Sequence, residues 1–134
     1  MDLHPFAEQV LFAFSYTVPA RDAPPTFVVS GAPEGPTVHP GDTSPDALRA
    51  KTADIVATLG QRLASLDLRW DQATAVGLYT VHDLFPFLRA EVLEKMGLAG
   101  LNGIQWFHGR PPTESSEIEL DVRGIQTELR VGES

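Results

Sequence analysis

The sequence of 134 residues contains no cysteine, which excludes disulfide bridges, thiolate zinc sites, iron–sulfur clusters and cysteine nucleophiles. Positive charge is scarce, because ten Lys and Arg residues stand against 18 Asp and Glu, for a net charge of −8. Such a surface would repel a phosphate backbone, so we expect no nucleic-acid partner. The start of the sequence lacks a signal-peptide pattern, and no apolar run approaches the ~20 residues of a membrane-spanning helix. We therefore expect a cytoplasmic protein without a membrane partner.

Metal and phosphate motifs are missing as well. None of the four histidines stands three or four residues from another, the spacing with which a helix presents two ligands to one ion. The cluster Gly97-x-x-Gly100-x-x-Gly103 follows a helical pattern, whereas a phosphate loop needs its glycines before a helix. We expect no metal and no cofactor.

The length and the hydrophobic fraction of 43% indicate a single globular domain over residues 1–134. Residues 9–18 and 26–31 are predicted to form a β-hairpin around the proline-rich turn 19–26. A long loop rich in glycine and proline follows, over residues 31–45.

A helix is predicted from Ser44, as N-cap, to Leu66. Its apolar residues fall on one stripe, formed by Leu48, Ile55, Val56, Leu59, Leu63 and Leu66. The charged residues of this helix are predicted to lie on its other faces, namely Arg49, Lys51, Asp54 and Arg62.

A second helix is predicted between His82-Asp83, interpreted as its cap, and Gly97 at its end. The strands are predicted at 73–81, which should lie inside the sheet, at 103–108 and at 117–131. A change of apolar phase in the last strand suggests a β-bulge or a bend at Gly124. The element order indicates an α+β fold, a mixed β-sheet with two helices packed on one face. The other face must then be solvated or covered by another subunit.

Two groups of side chains are chemically interesting. Glu117, Glu119 and Asp121 share the polar face of the last strand, as an acid/base group or as a solvated strand face. Trp106, His108 and Arg110 alternate on another strand. Neither group alone defines a site.

Four segments, in order, resemble segments of the YjgF/RidA family, and the resemblance covers nearly the whole chain. They are Val29-Ser30-Gly31-Ala32-Pro33, the strand Thr74–Val81 with His82-Asp83-Leu84, a glycine-flanked strand ending in Pro111-Pro112, and Ile118-Glu119-Leu120-Asp121-Val122-Arg123-Gly124. The resemblance implies a YjgF/chorismate-mutase-like fold that assembles as a homotrimer, with ligand clefts between the subunits.

The resemblance also implies hydrolysis of reactive enamines or imines to ketones and ammonia. By position, Glu119 matches the glutamate that positions or activates water. Ser30 and Gly31 match a turn whose backbone orients the substrate. Tyr16 matches an aromatic residue near the first strand, after an insertion of one residue.

One departure concerns the arginine with which the family binds a substrate carboxylate. Its position falls on Asn102 or Gly103, neither of which carries a charge. The loss of a charge-assisted anchor costs about 1.5–3 kcal/mol of binding free energy, unless His108 or Arg110 replaces it. Trp106 favours a larger, flatter or aromatic substrate.

Three functions remain open at this point. The first is hydrolysis of a reactive enamine or imine, or a related deamination of a small molecule, with Glu119 as the catalytic residue. The second is a non-catalytic trimer that binds a small metabolite in the same clefts, which the missing arginine favours. The third is an RNA-cleaving or translation-inhibiting activity, which the net charge of −8 disfavours.

Overall fold

The computed structural model describes residues 14–111, 115–129 and 132. The strands are β1 (Phe27–Pro33), β2 (Ala75–Tyr79), β3 (Gln105–Phe107) and β4 (Glu119–Gly124). The first helix is α1 (Pro45–Ser65). The second helix has three contiguous parts, α-helical Phe85–Leu88, π-helical Arg89–Leu93 and α-helical Glu94–Met96. Two 3-10 turns lie at Trp70–Gln72 and Gly97–Asn102.

The strands form one mixed sheet in the order β1-β4-β2-β3. β4 is antiparallel to both of its neighbours, and β2 is parallel to β3. Helix α1 packs on β1 and β4, and the second helix packs beside α1. The fold class, a mixed sheet with two helices on one face, is confirmed. The prediction of β2 as an interior strand is confirmed as well.

Helix α1 begins where the sequence predicts. The Ser44 hydroxyl accepts a hydrogen bond from the backbone N–H of Ala47, and Pro45 occupies the first helical turn, where its missing N–H costs nothing. The apolar stripe is buried, except for Leu66, which is the C-cap and is 57% exposed. Lys51 also departs from the prediction, since it is buried among the stripe residues rather than on another face.

Buried Lys51 forms an ion pair with Glu34, in the loop that follows β1. Its Nζ lies 3.5 Å from Glu34 Oε1, and the two side chains are 1% and 4% exposed. The Glu34 carboxylate also accepts hydrogen bonds from the backbone N–H groups of Glu117, at 2.7 Å, and Ile118, at 3.2 Å. This network ties α1 and the β1 loop to the segment that leads into β4, and so fixes where β4 begins.

The second helix starts and ends near the predicted residues. The Asp83 carboxylate accepts a hydrogen bond from the backbone N–H of Phe85 at 3.0 Å, and Gly97 terminates the helix with a φ of +58°. Its apolar side is formed by Leu84, Phe87, Val92 and Met96, which are buried in the core. No helix of the described ranges is both long and apolar enough to cross a membrane.

The predicted hairpin at the start of the chain is wrong where the structure describes it. Residues 14–18 form no strand, and the rest of the segment 9–18 lies outside the described residues. β1 pairs with β4 instead, from Phe27 opposite Gly124 to Pro33 opposite Glu119. The buried side chains of β1 meet the apolar side of β4 in the core, a long-range pairing that local turn signals do not reveal.

The last strand is shorter than the predicted 117–131. β4 ends at Gly124, and Leu129 beyond it is 80% exposed. The Phe27 ring lies over Gly124, where a Cβ would collide with it, so this glycine makes room for a neighbour rather than for a bulge. The irregular register instead lies in β1, between Val29 and Ala32.

Candidate active site

The sheet face opposite the helices, here called the outer face, carries the polar side chains of β4. Glu119, Asp121 and Arg123 are half-buried along it, whereas Leu120 and Val122 between them point into the core. The alternation confirms that the strand carboxylates lie opposite the apolar residues.

Glu119 lies at the start of β4, between Tyr79 of β2 and Pro33 of β1. Its carboxylate rests against the backbone of Gly31, because a Cβ at that glycine would overlap it. Burial, and then the negative charge of Asp121, raise the pKa of Glu119 above its ordinary value. Glu119 therefore holds a proton more readily than a solvated glutamate, as a residue that exchanges protons with a substrate must.

An aromatic pair lies beside Glu119. The rings of Tyr79 and Phe107 are stacked, with centroids 4.7 Å apart and planes 6° from parallel. The Tyr79 hydroxyl donates a hydrogen bond to Asp121 Oδ2 at 2.9 Å, and the backbone N–H of Gly77 donates to Oδ1 at 3.2 Å. Burial and the bond to Asp121 raise the pKa of Tyr79 to about 12, so its hydroxyl stays protonated at neutral pH.

Arg123 lies at the other end of β4. Its Nε is 3.6 Å from Asp121 Oδ1, and its Nη1 is 3.9 Å from Glu128 Oε2. Four residues along a strand separate it from Glu119, roughly 13 Å, so it belongs to the far end of the outer face.

A second group of charges lies where β2 and β3 end. His82 Nε2 is 2.7 Å from Glu117 Oε2, and Arg110 Nη1 is 3.9 Å from the same oxygen. The hydrogen bond from His82 lowers the pKa of Glu117, against the opposing effect of burial. Glu117 is thus a carboxylate with its own partners, His82 and Arg110, and only Asp121 acts electrostatically to raise the pKa of Glu119. The interpretation of His82 as part of a helix cap is wrong, since its ring pairs with Glu117.

Comparison with known proteins decides the family. A family model described as 2-aminomuconate deaminase CnbZ matches residues 1–129. The chain belongs to the CnbZ family. A curated relative, the 2-amino-5-chloromuconate deaminase of Comamonas testosteroni, is 36% identical over 129 residues, which cover 88% of this chain and 51% of the relative. The chain thus spans about half the length of that relative.

The fold agrees with this assignment. A Rid-family protein of unknown function from Yersinia pestis, YyfB, superposes with a TM-score of 0.54 at 15% identity, covering 80% of this chain and 83% of that one. The CnbZ match and the Rid-type fold confirm the YjgF/RidA resemblance of the sequence and identify a RidA-like deaminase family.

The structure brings some of the predicted site residues together. Gly31 and Glu119 are in contact, and Arg110 lies at the same edge of the sheet. Ser30 is in β1, but its side chain is outside the described part of the structure. His108 is exposed just after β3.

Two predicted site residues lie away from Glu119. Trp106 faces the helices, where its ring lies 5.1 Å from that of Phe85 and its Nε1 donates to the Thr80 carbonyl at 3.2 Å. β3 ends at Phe107, so the expected alternation of Trp106 with His108 and Arg110 along one strand is wrong. Tyr16 is 74% exposed and lines a shallow groove with Phe27, at the opposite end of β1 from Glu119. Their assignment to substrate binding stays a prediction.

Three residues that lie beside the predicted site residues were not assigned to the site from sequence. Tyr79 and Phe107 stack on the outer face, and His82 holds Glu117. In β2, Tyr79 stands two residues after Gly77 and therefore on the same face of the strand, opposite the buried Val76 and Leu78. The partners of Phe107 and His82 lie 28 and 35 residues away in sequence, so only the sheet pairing reveals them.

Proposed function

We propose that this chain catalyses the hydrolytic deamination of a flat, conjugated enamine or imine at the Glu119 end of the outer face. The observation that carries the proposal is the half-buried Glu119 carboxylate, resting on the Gly31 backbone beside the stacked rings of Tyr79 and Phe107. The family description and the name of the curated relative, both deaminases of aminomuconates, support it.

The chemistry needs one water and one group that exchanges protons. An enamine takes a proton from solvent at carbon and becomes an iminium ion, whose carbon is electrophilic. The Glu119 carboxylate takes a proton from water as the water oxygen bonds to that carbon, which gives a carbinolamine. This proton then passes to nitrogen and makes ammonia the leaving group. The C–N bond breaks as the hydroxyl gives its proton to the carboxylate, which returns it to solvent, so that enamine and water become ketone and ammonia. A carboxyl group with a raised pKa suits both transfers, because it gives up and accepts the proton with comparable ease.

The surroundings of Glu119 favour a planar substrate. The Tyr79–Phe107 pair offers a flat apolar wall, and such walls bind conjugated systems through stacking and burial. The resemblance places the family arginine either at Asn102, whose amide donates to the Ala73 carbonyl, or at Gly103. We propose Arg110, at the edge of the site, as the alternative anchor for a substrate carboxylate.

We further propose that the outer face is covered by other copies of the chain, in a homotrimer whose clefts contain the site. The apolar rings of Tyr79 and Phe107 on a face without helices favour such a cover. Sedimentation equilibrium is expected to give three times the mass of 14.6 kDa at micromolar concentration. A monomer at that concentration would exclude a site shared between subunits.

The direct test is turnover of 2-aminomuconate by the purified protein. We expect loss of its conjugated absorbance together with stoichiometric release of ammonium. Imines generated from simple amino acids by an amino-acid oxidase, with semicarbazide as the trap, extend the panel to smaller substrates. Absence of turnover across the whole panel would refute the deaminase proposal.

A ligand-binding protein without catalysis is the second candidate. The absence of a charge at both Asn102 and Gly103, one of which stands where the resemblance places the family arginine, favours it. It predicts saturable binding of a small carboxylate by the intact oligomer, with no ammonium released.

The pH dependence of turnover should report on Glu119. The carboxylate form activates water, so kcat/KM is expected to fall as the pH decreases through the raised pKa of Glu119. Because the charge of Asp121 contributes to this rise, Asp121→Asn should move the acid limb to lower pH. A pH–rate profile of both proteins tests this. An unchanged or oppositely shifted limb would mean that another group controls the profile.

A further inference from the structure

The three polar side chains at the end of β2 and β3 differ in burial and in the distances between them. His82 and Glu117 are mostly buried, with side chains 19% and 14% exposed, and they form a close contact of 2.7 Å. Arg110 is 64% exposed and stays at 3.9 Å from the same Glu117 oxygen. An arginine beside an available carboxylate normally forms a close bidentate pair at about 2.7–2.9 Å. Here that oxygen is already engaged by His82.

The buried pair is set on a fixed backbone. The Glu117 N–H donates to Glu34 at 2.7 Å, and its carbonyl accepts from the Thr80 hydroxyl at 2.8 Å. The Thr80 hydroxyl oxygen in turn accepts from the His82 N–H at 3.1 Å. His82 and Glu117 therefore keep their places, and the exposed Arg110 side chain is the member of the group that can turn toward a ligand.

The distance between this group and Glu119 limits which molecules can contact both. Glu117 and Glu119 are two residues apart, roughly 7 Å, and both point away from the core, because Ile118 between them is buried. A substrate whose reacting carbon lies at Glu119 can bind Arg110 only if it is extended and carries an anionic group at its other end.

We infer that His82, Glu117 and Arg110 form a subsite for the second carboxylate of an extended amino dicarboxylate, in which His82 engages Glu117 and thereby leaves Arg110 to the substrate. The inference rests on the proposed function, because it assigns the far end of the same substrate. His82 acts here as a positioning residue, and Arg110 makes the contact.

Steady-state kinetics with two substrates test the inference. The ratio of KM for 2-aminomuconate, a dicarboxylate, to KM for the imine of leucine, a monocarboxylate, is the readout. His82→Leu releases Glu117 to pair closely with Arg110, and should raise this ratio about tenfold, the weight of one charge-assisted hydrogen bond. Arg110→Gln should raise it as much, and the double variant no further. His82→Gln can still donate a hydrogen bond to Glu117, and should keep the ratio at the value of the unchanged protein.

A purely structural role of His82 gives a different result. It would raise both KM values together and lower kcat, which leaves the ratio unchanged and overturns the inference. Binding of unreactive muconate, measured by calorimetry, separates the subsite from the catalytic proposal. Muconate binding that is lost in Arg110→Gln but kept in the exposed control Arg89→Gln supports the subsite even without turnover. Equal binding by all variants refutes it.

Discussion

Glu119→Gln is expected to lower kcat for 2-aminomuconate by about 10²–10⁴-fold, the usual contribution of a general acid–base group. The substitution keeps the size of the side chain and its place against the Gly31 backbone, but the amide cannot take a proton from water. It also removes a charge that the site disfavours, since burial and Asp121 both raise the pKa of Glu119. KM should therefore change little, and protein stability should stay equal or increase.

The matched control is Glu94→Gln, the same chemical change on the exposed side of the second helix. Glu94 pairs there with Arg89 at 3.2 Å, and both side chains are largely exposed, so this ion pair contributes little. Turnover should equal that of the unchanged protein. Single-turnover and steady-state rates of both variants, measured at the same oligomeric state, make the comparison. If Glu119→Gln retained kcat within about twofold, the water would have to be activated elsewhere, and the assigned role of Glu119 would be wrong.

Local patterns in the sequence placed Glu119 well, because a strand has a period of two. The alternation of Ile118, Leu120 and Val122 with acidic residues fixes which side of β4 faces water, whatever its neighbours are. Ser44 and Pro45 similarly define the start of α1 through short-range hydrogen bonding. The resemblance to the YjgF/RidA family added the expectation of a homotrimer with clefts between its subunits, which no local pattern contains.

The remaining errors share a physical cause, namely contacts between distant parts of the chain. The helical period alone assigns Lys51 to a polar face, yet Glu34 gives it a buried partner. His82 stands where a cap is expected, but its ring forms a hydrogen bond with Glu117, 35 residues away in sequence. Trp106 and Phe107 could not be assigned to sides of the sheet until the pairing of β3 with β2 was known.

Lys51→Met is expected to destabilise the fold by about 3–5 kcal/mol, the typical cost of leaving a buried charge without its partner. Methionine fills much of the lysine volume, so the loss reports the missing ammonium rather than a cavity. Glu34 would keep its two backbone hydrogen bonds but would remain buried, at 4% exposure, without a counter-charge. Chemical denaturation of the variant and the unchanged protein measures the difference in the free energy of unfolding.

The chain contains its own control, because its other lysine, Lys95, is exposed at the end of the second helix. Lys95→Met should change the free energy of unfolding by less than about 0.5 kcal/mol, as for most surface substitutions. A double-mutant cycle with Glu34→Gln should give a coupling of about 0.5–3 kcal/mol. Equal effects of the two lysine substitutions would contradict the buried pair.

The pair matters beyond stability, because Glu34 binds the backbone at Glu117 and Ile118 and so holds the segment from which Glu119 projects. Partial loss of this network should therefore lower kcat under conditions in which the variant is still folded.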